Sequence, residues 1–162
     1  MFNSYDYFAE ICAKNKLTVA GNYKFCRVTG LGNLEEVIQN FKREQAYFCI
    51  DDTNDGTTFQ GAGGGYFERR MYIVYIMKKY PLNDMQAQHA ALEECRRIYR
   101  SVCSKLVFDR SRLLNSQIYL NTDRIPYYEM EGYAISGVTG LYTMISIDEP
   151  VNLCYNANDW TE

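Results

Sequence analysis

The chain has 162 residues and a mass of 18.9 kDa, a size that predicts a single domain. Hydrophobic residues make up 47% of it and charged residues 23%, the balance of an ordinary globular protein, which excludes disorder, collagen and a coiled coil as global descriptions. The formal net charge of −3 argues against a dedicated nucleic-acid-binding protein, because such proteins carry a strongly basic face.

The N-terminal quarter of the chain carries signals for two helices with an extended segment between them. Asn3 or Ser4 can cap the first helix. The run Tyr23 to Val28 favours a strand, which the turn sequence TGLG ends. Asn33 then opens a capping-box pattern, N-L-E-E, and predicts a second helix that ends near Arg43.

Two strand signals follow, with turn sequences between them. Ala46 to Ile50 is a short apolar run, and Tyr66 to Tyr80 is the longest strand signal in the chain. The centre of the longer run is apolar on both faces, which predicts a position inside a sheet covered on both sides. The segment DDTNDG predicts a turn, and the sequence GAGGG at Gly61 to Gly65 predicts a hairpin tip. Pro81 ends the strand because proline has no N–H to donate.

The strongest helix signal comes next. Asn83 and Gln86 have the spacing of a capping box, and the pattern predicts a helix from Asp84 to about Val107. Its apolar stripe consists of Ala87, Ala91, Cys95, Ile98, Val102 and Leu106.

Three strand signals close the domain: Gln117 to Asn121, Tyr127 to Ser136, and Leu141 to Ile147. The turn sequence SGVTG predicts a hairpin between the last two, and the pair Glu149–Pro150 is expected to end the final strand.

These elements predict one α+β domain over residues 1–162, with residues 151–162 as an extended C-terminal tail. We expect a mostly antiparallel or mixed sheet packed against one long helix and shorter N-terminal helices. The longest apolar run, Met71 to Met77, is far shorter than the roughly 18 residues of a membrane span, so no membrane association is expected. No secretory signal is recognised, so we expect a protein made in the cytoplasm whose cysteines are reduced and mostly buried. The cysteines are Cys12, Cys26, Cys49, Cys95, Cys103 and Cys154.

The motifs of common catalytic and binding sites are incomplete in this chain. The GAGGG segment lacks the Lys-Ser/Thr of a phosphate-binding loop and leads into a strand. The pattern D-x-T-x-D-G from Asp51 matches half of a calcium loop, but the twelfth position is Ala62 where a bidentate Glu belongs. His89 is the only histidine and is expected on a solvated helix face, and the carboxylate pairs are neighbours in sequence rather than partners across a cleft. We therefore predict no catalytic residue, no cofactor and no metal site, and no enzymatic activity.

One basic cluster lies on and just beyond the long predicted helix. A solvated helix face is the simpler interpretation, and contact with an acidic partner or with DNA phosphate is the alternative. The candidates for an electrostatic partner contact are Arg96, Arg97 and Arg100, and the cluster continues through Lys105, Arg110 and Arg112.

Tyrosine is the most unusual part of the composition, at 15 residues against one histidine and one tryptophan. Its apolar ring and polar hydroxyl suit half-buried and interfacial positions. A small core cannot absorb all of these rings, so we expect a tyrosine-rich surface that makes subunit contacts. The tyrosines on predicted elements are Tyr66, Tyr72, Tyr75, Tyr80, Tyr99, Tyr119, Tyr127, Tyr128, Tyr133 and Tyr142.

The order of these elements resembles the tail-terminator and head–tail joining proteins of tailed bacteriophages. The resemblance covers roughly residues 1–150: a leading helix, the strands Ala46–Ile50 and Tyr66–Tyr80, the long helix, and the closing hairpin. The segments EGYAISGVTGLYTMISID and EPVNLCYNANDW also resemble phage or prophage structural proteins. The extended segment and helix between Tyr23 and Arg43 depart from the family pattern and leave the neck or tail role open.

The resemblance implies a non-enzymatic virion protein of a phage or prophage tail, synthesised in the host cytoplasm. It implies a homo-oligomeric ring, possibly a hexamer, that caps the tail tube, joins it to the head and contacts tail-tube and neck proteins. The matching loop is the hairpin tip Asp55 to Gly65, with expected oligomer or tube contacts at Asp55, Gly61, Gly63, Gly64, Gly65 and Tyr66. The alternative function is a small cytoplasmic ligand-binding domain with an aromatic pocket beside the sheet.

Overall fold

A mixed β-sheet with helices on both faces forms the domain in the computed structural model, which describes residues 2–40, 43–53, 55–130 and 137–161. The long helix and the shorter N-terminal helices pack on this sheet, which confirms the predicted fold class. The helices are α1 (Ser4–Lys14), α2 (Lys16–Ala20), α3 (Gly30–Asn40) and α4 (Met85–Asn115). The strands are β1 (Tyr23–Val28), β2 (Ala46–Asp51), β3 (Gly56–Gln60), β4 (Tyr66–Lys79), β5 (Tyr119–Leu120), β6 (Tyr127–Met130) and β7 (Val138–Val151).

Two long strands, β4 and β7, form the centre of the sheet. The strand order is β1-β2-β4-β7-β5, with β3 also paired to β4 and β6 also paired to β7. Strands β4 and β7 run antiparallel over their whole lengths, from Tyr66 opposite Val151 to Lys79 opposite Val138. Only β1 and β2 are parallel among the described pairs. The long central ribbon therefore carries every other strand of the described sheet except β1.

Side chains of β4 alternate between two apolar layers, as the period of a strand requires. Val74 and Ile76 face the layer that contains α1 and α4. Tyr75 and Met77 face the second layer, which contains α3. The prediction that the centre of this strand is covered on both sides is therefore confirmed.

The first predicted helix is confirmed as α1, which Asn3 caps, but the rest of the N-terminal helical region differs from its prediction. A second short helix, α2, was not predicted, and its cap is the Asn15 side chain, which accepts a hydrogen bond from the Leu17 N–H at 2.9 Å. The helix predicted from Asn33 begins at Gly30, because the buried Asp51 carboxylate accepts a hydrogen bond from the Gly30 N–H at 2.8 Å. Helix α3 is described as far as Asn40, and residues 41–42, next to the predicted end near Arg43, lie outside the described chain.

The segment predicted as one hairpin tip, Asp55 to Gly65, contains a strand. Strand β2 pairs with the second half of β4, and β3 pairs with its first half, from Gly56 opposite Arg70 to Gln60 opposite Tyr66. We call β3, residues 66–70 of β4 and residues 147–151 of β7 the arm. Three short antiparallel segments form this arm, which joins the helix-covered core at Ile147.

Helix α4 is longer than its pattern predicts. It contains 31 residues, or about 46 Å, and ends at Asn115 rather than near Val107. Its cap is Asp84, whose carboxylate accepts a hydrogen bond from the Ala87 N–H at 2.8 Å, so the predicted Asn83 cap is wrong.

The closing strands also depart from their predicted bounds. The strand predicted over Gln117 to Asn121 is reduced to β5. Strand β6 is described as far as Met130, and the rest of its predicted range, residues 131–136, lies outside the described chain. Strand β7 begins at Val138 inside the predicted turn. It continues past Pro150, which stands opposite Phe67 near the end of the ladder, where a missing N–H is tolerated.

Candidate functional site

Five of the six predicted contact residues meet at the tip of the arm. The Gly61 N–H donates to the Gly65 carbonyl at 2.8 Å, and the Gly64 N–H donates to the Gly61 carbonyl at 2.9 Å. Gly64 has a φ of +85°, a conformation that favours glycine, and Gly63 is exposed beside it. Tyr66 follows the turn with 43% of its surface exposed.

The sixth predicted contact residue, Asp55, lies elsewhere. Asp55 precedes β3 and Gly61 follows β3, so the length of this strand, about 17 Å, separates Asp55 from the tip. A partner that contacts the tip therefore does not have to contact Asp55.

Aromatic rings and one ion pair hold the arm together. The rings of Phe59 and Phe67 stack with centroids 5.8 Å apart, and Tyr119 packs edge-on against Phe67 at 5.5 Å. Arg69 binds Asp148 across the β4–β7 ladder with two hydrogen bonds of 2.7 and 2.8 Å. Because these contacts link all three segments of the arm to β5, they fix where the tip is presented.

The basic cluster divides into internal and outward-facing members. Arg96 donates two hydrogen bonds to Glu129, at 2.6 and 2.8 Å, and also pairs with Glu93 one turn away. Arg97 and Arg100 are exposed. Arg96 therefore ties α4 to β6, while its two neighbours offer positive charge to the outside.

The second half of α4 exposes apolar residues that the sequence prediction did not single out. Val107 is 57% exposed, Phe108 79% and Leu114 50%. At about 3.6 residues per turn these side chains fall on the same side of α4 as two of the exposed arginines. We call this set the α4 outer stripe, and its members are Arg97, Arg100, Val107, Phe108 and Leu114.

The tyrosines divide between core and surface, as expected. Tyr23, Tyr47, Tyr72 and Tyr75 are buried. Exposed tyrosines include Tyr5, Tyr66, Tyr119, Tyr127, Tyr128 and Tyr155, while Tyr133 lies outside the described residues. The expected role of the exposed rings in subunit contacts stays a prediction.

A cleft of about 440 Å³ lies between α1, α2 and α4. At its base is Asp109, which is 1% exposed and accepts hydrogen bonds from the Tyr7 hydroxyl at 2.9 Å and from Lys105 Nζ at 2.7 Å. Burial alone would raise the pKa of Asp109, but the hydrogen bonds from Lys105 and Tyr7 outweigh it and hold the pKa below its usual value. Burial, with the Asp109 hydrogen bond added, raises the pKa of the Tyr7 phenol.

The cleft differs from the aromatic pocket expected for a ligand-binding domain. Tyr7 is the one aromatic ring among its lining residues, most of which are polar or charged. Lys14 and Glu10 form a surface ion pair at its rim, 2.5 Å apart, and Lys16 and Arg112 also line it. Its character is therefore that of a polar groove with a surplus of positive charge.

The partial calcium motif has a structural role. Asp51 accepts hydrogen bonds from the N–H and hydroxyl of Thr53, at 3.1 and 2.8 Å, as well as the bond from the start of α3. This aspartate therefore stabilises a turn and a helix start, as the turn interpretation predicts.

Other predicted features are placed as follows. His89 is exposed on α4, and no cluster of metal-ligating side chains occurs among the described residues. Four of the six cysteines are buried, Cys103 is half-buried and Cys154 is exposed. Within the described ranges, no helix combines the length and the apolar character that crossing a membrane requires.

Comparison with known proteins gives no assignment. The chain matches no protein-family model, and no curated protein sequence matches it. Any function must therefore be argued from the chain's own surfaces.

Proposed function

We propose that the chain is a structural protein of a phage or prophage tail, a terminator or neck component that assembles into a homo-oligomeric ring. In this role the ring caps the tail tube and forms the surface to which the head connects. The arm tip, Gly61 to Tyr66, is the surface assigned to the tube or to the next subunit. The proposal rests on the resemblance in element order and on the surfaces described above.

The single observation that carries the proposal is the amount of large apolar surface left exposed by a domain with a well-filled core. Phe108, Tyr155 and Trp160 are 79%, 77% and 68% exposed. Large aromatic residues left exposed are typical of interfaces between proteins. Because they lie on different elements, α4 and the C-terminal tail, they suit a contact that joins unlike surfaces of successive copies and closes by rotation.

The first experiment measures the mass of the full chain by light scattering between about 1 μM and 1 mM, the range in which modest interfaces assemble. Negative-stain microscopy then examines the chain mixed with tail tubes built from the tube protein of the same genome. We expect rings in solution or caps at tube ends. A strict monomer that leaves the tube ends bare contradicts the proposal.

A matched pair of variants links the assembly to the exposed apolar surface. Phe108→Ser removes an exposed ring from α4, and Leu82→Ser removes a comparably exposed side chain, 65% exposed, before the start of that helix. We expect the first variant to weaken assembly and the second to leave it unchanged. Equal assembly by both variants argues that α4 is not part of the ring interface.

The second candidate function, a small ligand-binding domain, is favoured by the α1–α2–α4 cleft. Its volume suits a small molecule, and Lys14, Lys16 and Lys105 on its lining suit an anionic one. Native mass spectrometry of the purified chain tests this alternative. A bound anionic metabolite that Lys16→Ala releases favours it over the structural role.

A further inference from the structure

The C-terminal tail, residues 152–161, has a defined shape and is exposed along its whole length. The Asn156 side chain caps the turn Ala157–Asp159, and the Trp160 N–H closes it onto a carbonyl at 3.3 Å. The rings of Tyr155 and Trp160 stack at 6.3 Å across this turn, 77% and 68% exposed. The tail therefore presents a preformed pair of aromatic rings to solvent.

The tail has the chemistry of an interface anchor. Tyrosine and tryptophan dominate the binding energy of protein interfaces, because each buries a large ring at low cost in conformational entropy. Leu153 adds a third apolar side chain, 52% exposed. Within residues 152–162 the charged side chains are both acidic, Asp159 and Glu162. The complementary surface is therefore apolar and basic.

The α4 outer stripe has this complementary character. Val107, Phe108 and Leu114 supply exposed apolar surface, while Arg97 and Arg100 supply positive charge and guanidinium planes for aromatic rings. From Arg97 to Leu114 the stripe is about 26 Å long at 1.5 Å per residue. The ten-residue tail would reach at most about 33 Å if fully extended, and the turn at Ala157–Asp159 shortens it to less than that, so it can cover most of the stripe without exceeding it. The lengths are therefore compatible.

We propose that the tail of one copy docks on the α4 outer stripe of the next copy. This inference rests on the proposed ring and names the contact that closes it. The two surfaces differ, so each copy gives a tail to one neighbour and receives a tail from the other. Such a heterologous contact produces a ring when the rotation between copies closes.

Trp160 reports on this contact directly, because it is the only tryptophan in the chain. Its emission and its quenching by acrylamide are measured on the full chain from dilution to high concentration, beside the mass from light scattering. We expect a shift to shorter wavelength and weaker quenching in step with assembly. An indole that stays as accessible as free tryptophan at every concentration overturns the inference.

Two point variants separate the two sides of the contact. Tyr155→Ser alters the tail and keeps the tryptophan probe, whereas Phe108→Ser alters the stripe. Each is expected to weaken self-association at least about tenfold, the loss typical of an interface hot spot. The control Leu82→Ser is expected to associate like the wild type, and far-ultraviolet circular dichroism confirms that all variants are folded.

A mixture of variants tests the head-to-tail direction. Phe108→Ser keeps an intact tail, and Tyr155→Ser keeps an intact stripe, so an equimolar mixture restores one good contact and is expected to form dimers. Failure of the mixture to associate, or a protected Trp160 in a dilute monomer, overturns docking between copies.

The outcomes also distinguish this inference from the proposed function. If Tyr155→Ser assembles into oligomeric rings as well as the wild type does, and Trp160 stays accessible, the structural role stands and the tail contact is overturned. A monomer at all concentrations, with bare tube ends, overturns both.

Discussion

The buried carboxylate of Asp109 is expected to be a main attachment of α1 to α4. Asp109→Ala removes the acceptor of the Tyr7 hydroxyl, a hydrogen bond to a charged group that contributes about 1.5–3 kcal/mol. It also removes the pair with Lys105, which is 45% exposed and so contributes at most about 1 kcal/mol. The expected loss in the free energy of unfolding is about 2–4 kcal/mol, or roughly 4–16 °C in Tm for a chain of this size.

Urea unfolding followed by circular dichroism measures this loss. The control is Asp123→Ala, which removes a 91% exposed carboxylate lying 3.8 Å from Arg110 and is expected to cost less than about 0.5 kcal/mol. Asp109→Asn keeps an acceptor for the Tyr7 hydroxyl, so its free energy of unfolding is expected to lie between those of Asp109→Ala and Asp123→Ala. If Asp109→Ala is as stable as Asp123→Ala, the carboxylate does not fasten the helices.

The pH dependence of the free energy of unfolding gives a second test of the role of Asp109. The pKa of Asp109 is lower in the folded chain than in the unfolded one, where an Asp titrates near about 3.9. Its contribution is therefore complete above that value and is lost as the pH falls through the folded pKa. We expect the stability gap between wild type and Asp109→Asn to be constant from about pH 7 to 5 and to shrink below about pH 4. A gap that widens in acid contradicts this assignment.

Three further predictions concern other parts of the fold. Gly140→Ala is expected to lower the free energy of unfolding by more than about 3 kcal/mol, because the new methyl would overlap the backbone of β4. The new methyl of Gly63→Ala meets open space, so this control is expected to be as stable as the wild type. Thermal unfolding of both variants checks the prediction. Phe67→Ala is expected to loosen the arm and let trypsin cut after its arginines, while Tyr66→Ala, on the opposite face, leaves the arm resistant. A thiol reagent is expected to label Cys154 at once and the four buried cysteines only on unfolding; rapid labelling of all six contradicts the core packing.

Local patterns predicted α1, α3, α4 and most strands, because burial of one face leaves a periodic signal, whereas the five-residue α2 is too short to show one. Strand β3 left no such signal, since Phe59 is its one apolar residue and its pairing depends on β4. Asp109 interrupts the apolar stripe of α4, and one of its partners, Tyr7, stands 102 positions away. The end of α4 was missed for a related reason: Val107 and Phe108 are exposed, so they blur the stripe that marks a packed helix.

The candidate surfaces were harder to predict than the fold. The glycines of the arm tip are visible in the sequence, but Asp55 belongs with them only if residues 55–65 form a single loop, and β3 separates it from the tip. The aromatic pair in the tail is formed by a turn capped by Asn156, which has no signature beyond a run of small polar residues. Surfaces of this kind depend on which side chains remain exposed after folding, and a periodicity argument addresses only those that become buried.

The full-length pairing of β4 and β7 has a consequence for how the chain folds. Tyr66 cannot meet its partner until Val151 has been synthesised, and α4 must be made in between. During translation β4 therefore emerges with one edge unpaired and with α4 still missing from one of its two apolar layers. Non-local pairing of this kind slows folding and exposes strand edges to other chains. We expect newly made chains to depend on chaperones until β7 arrives.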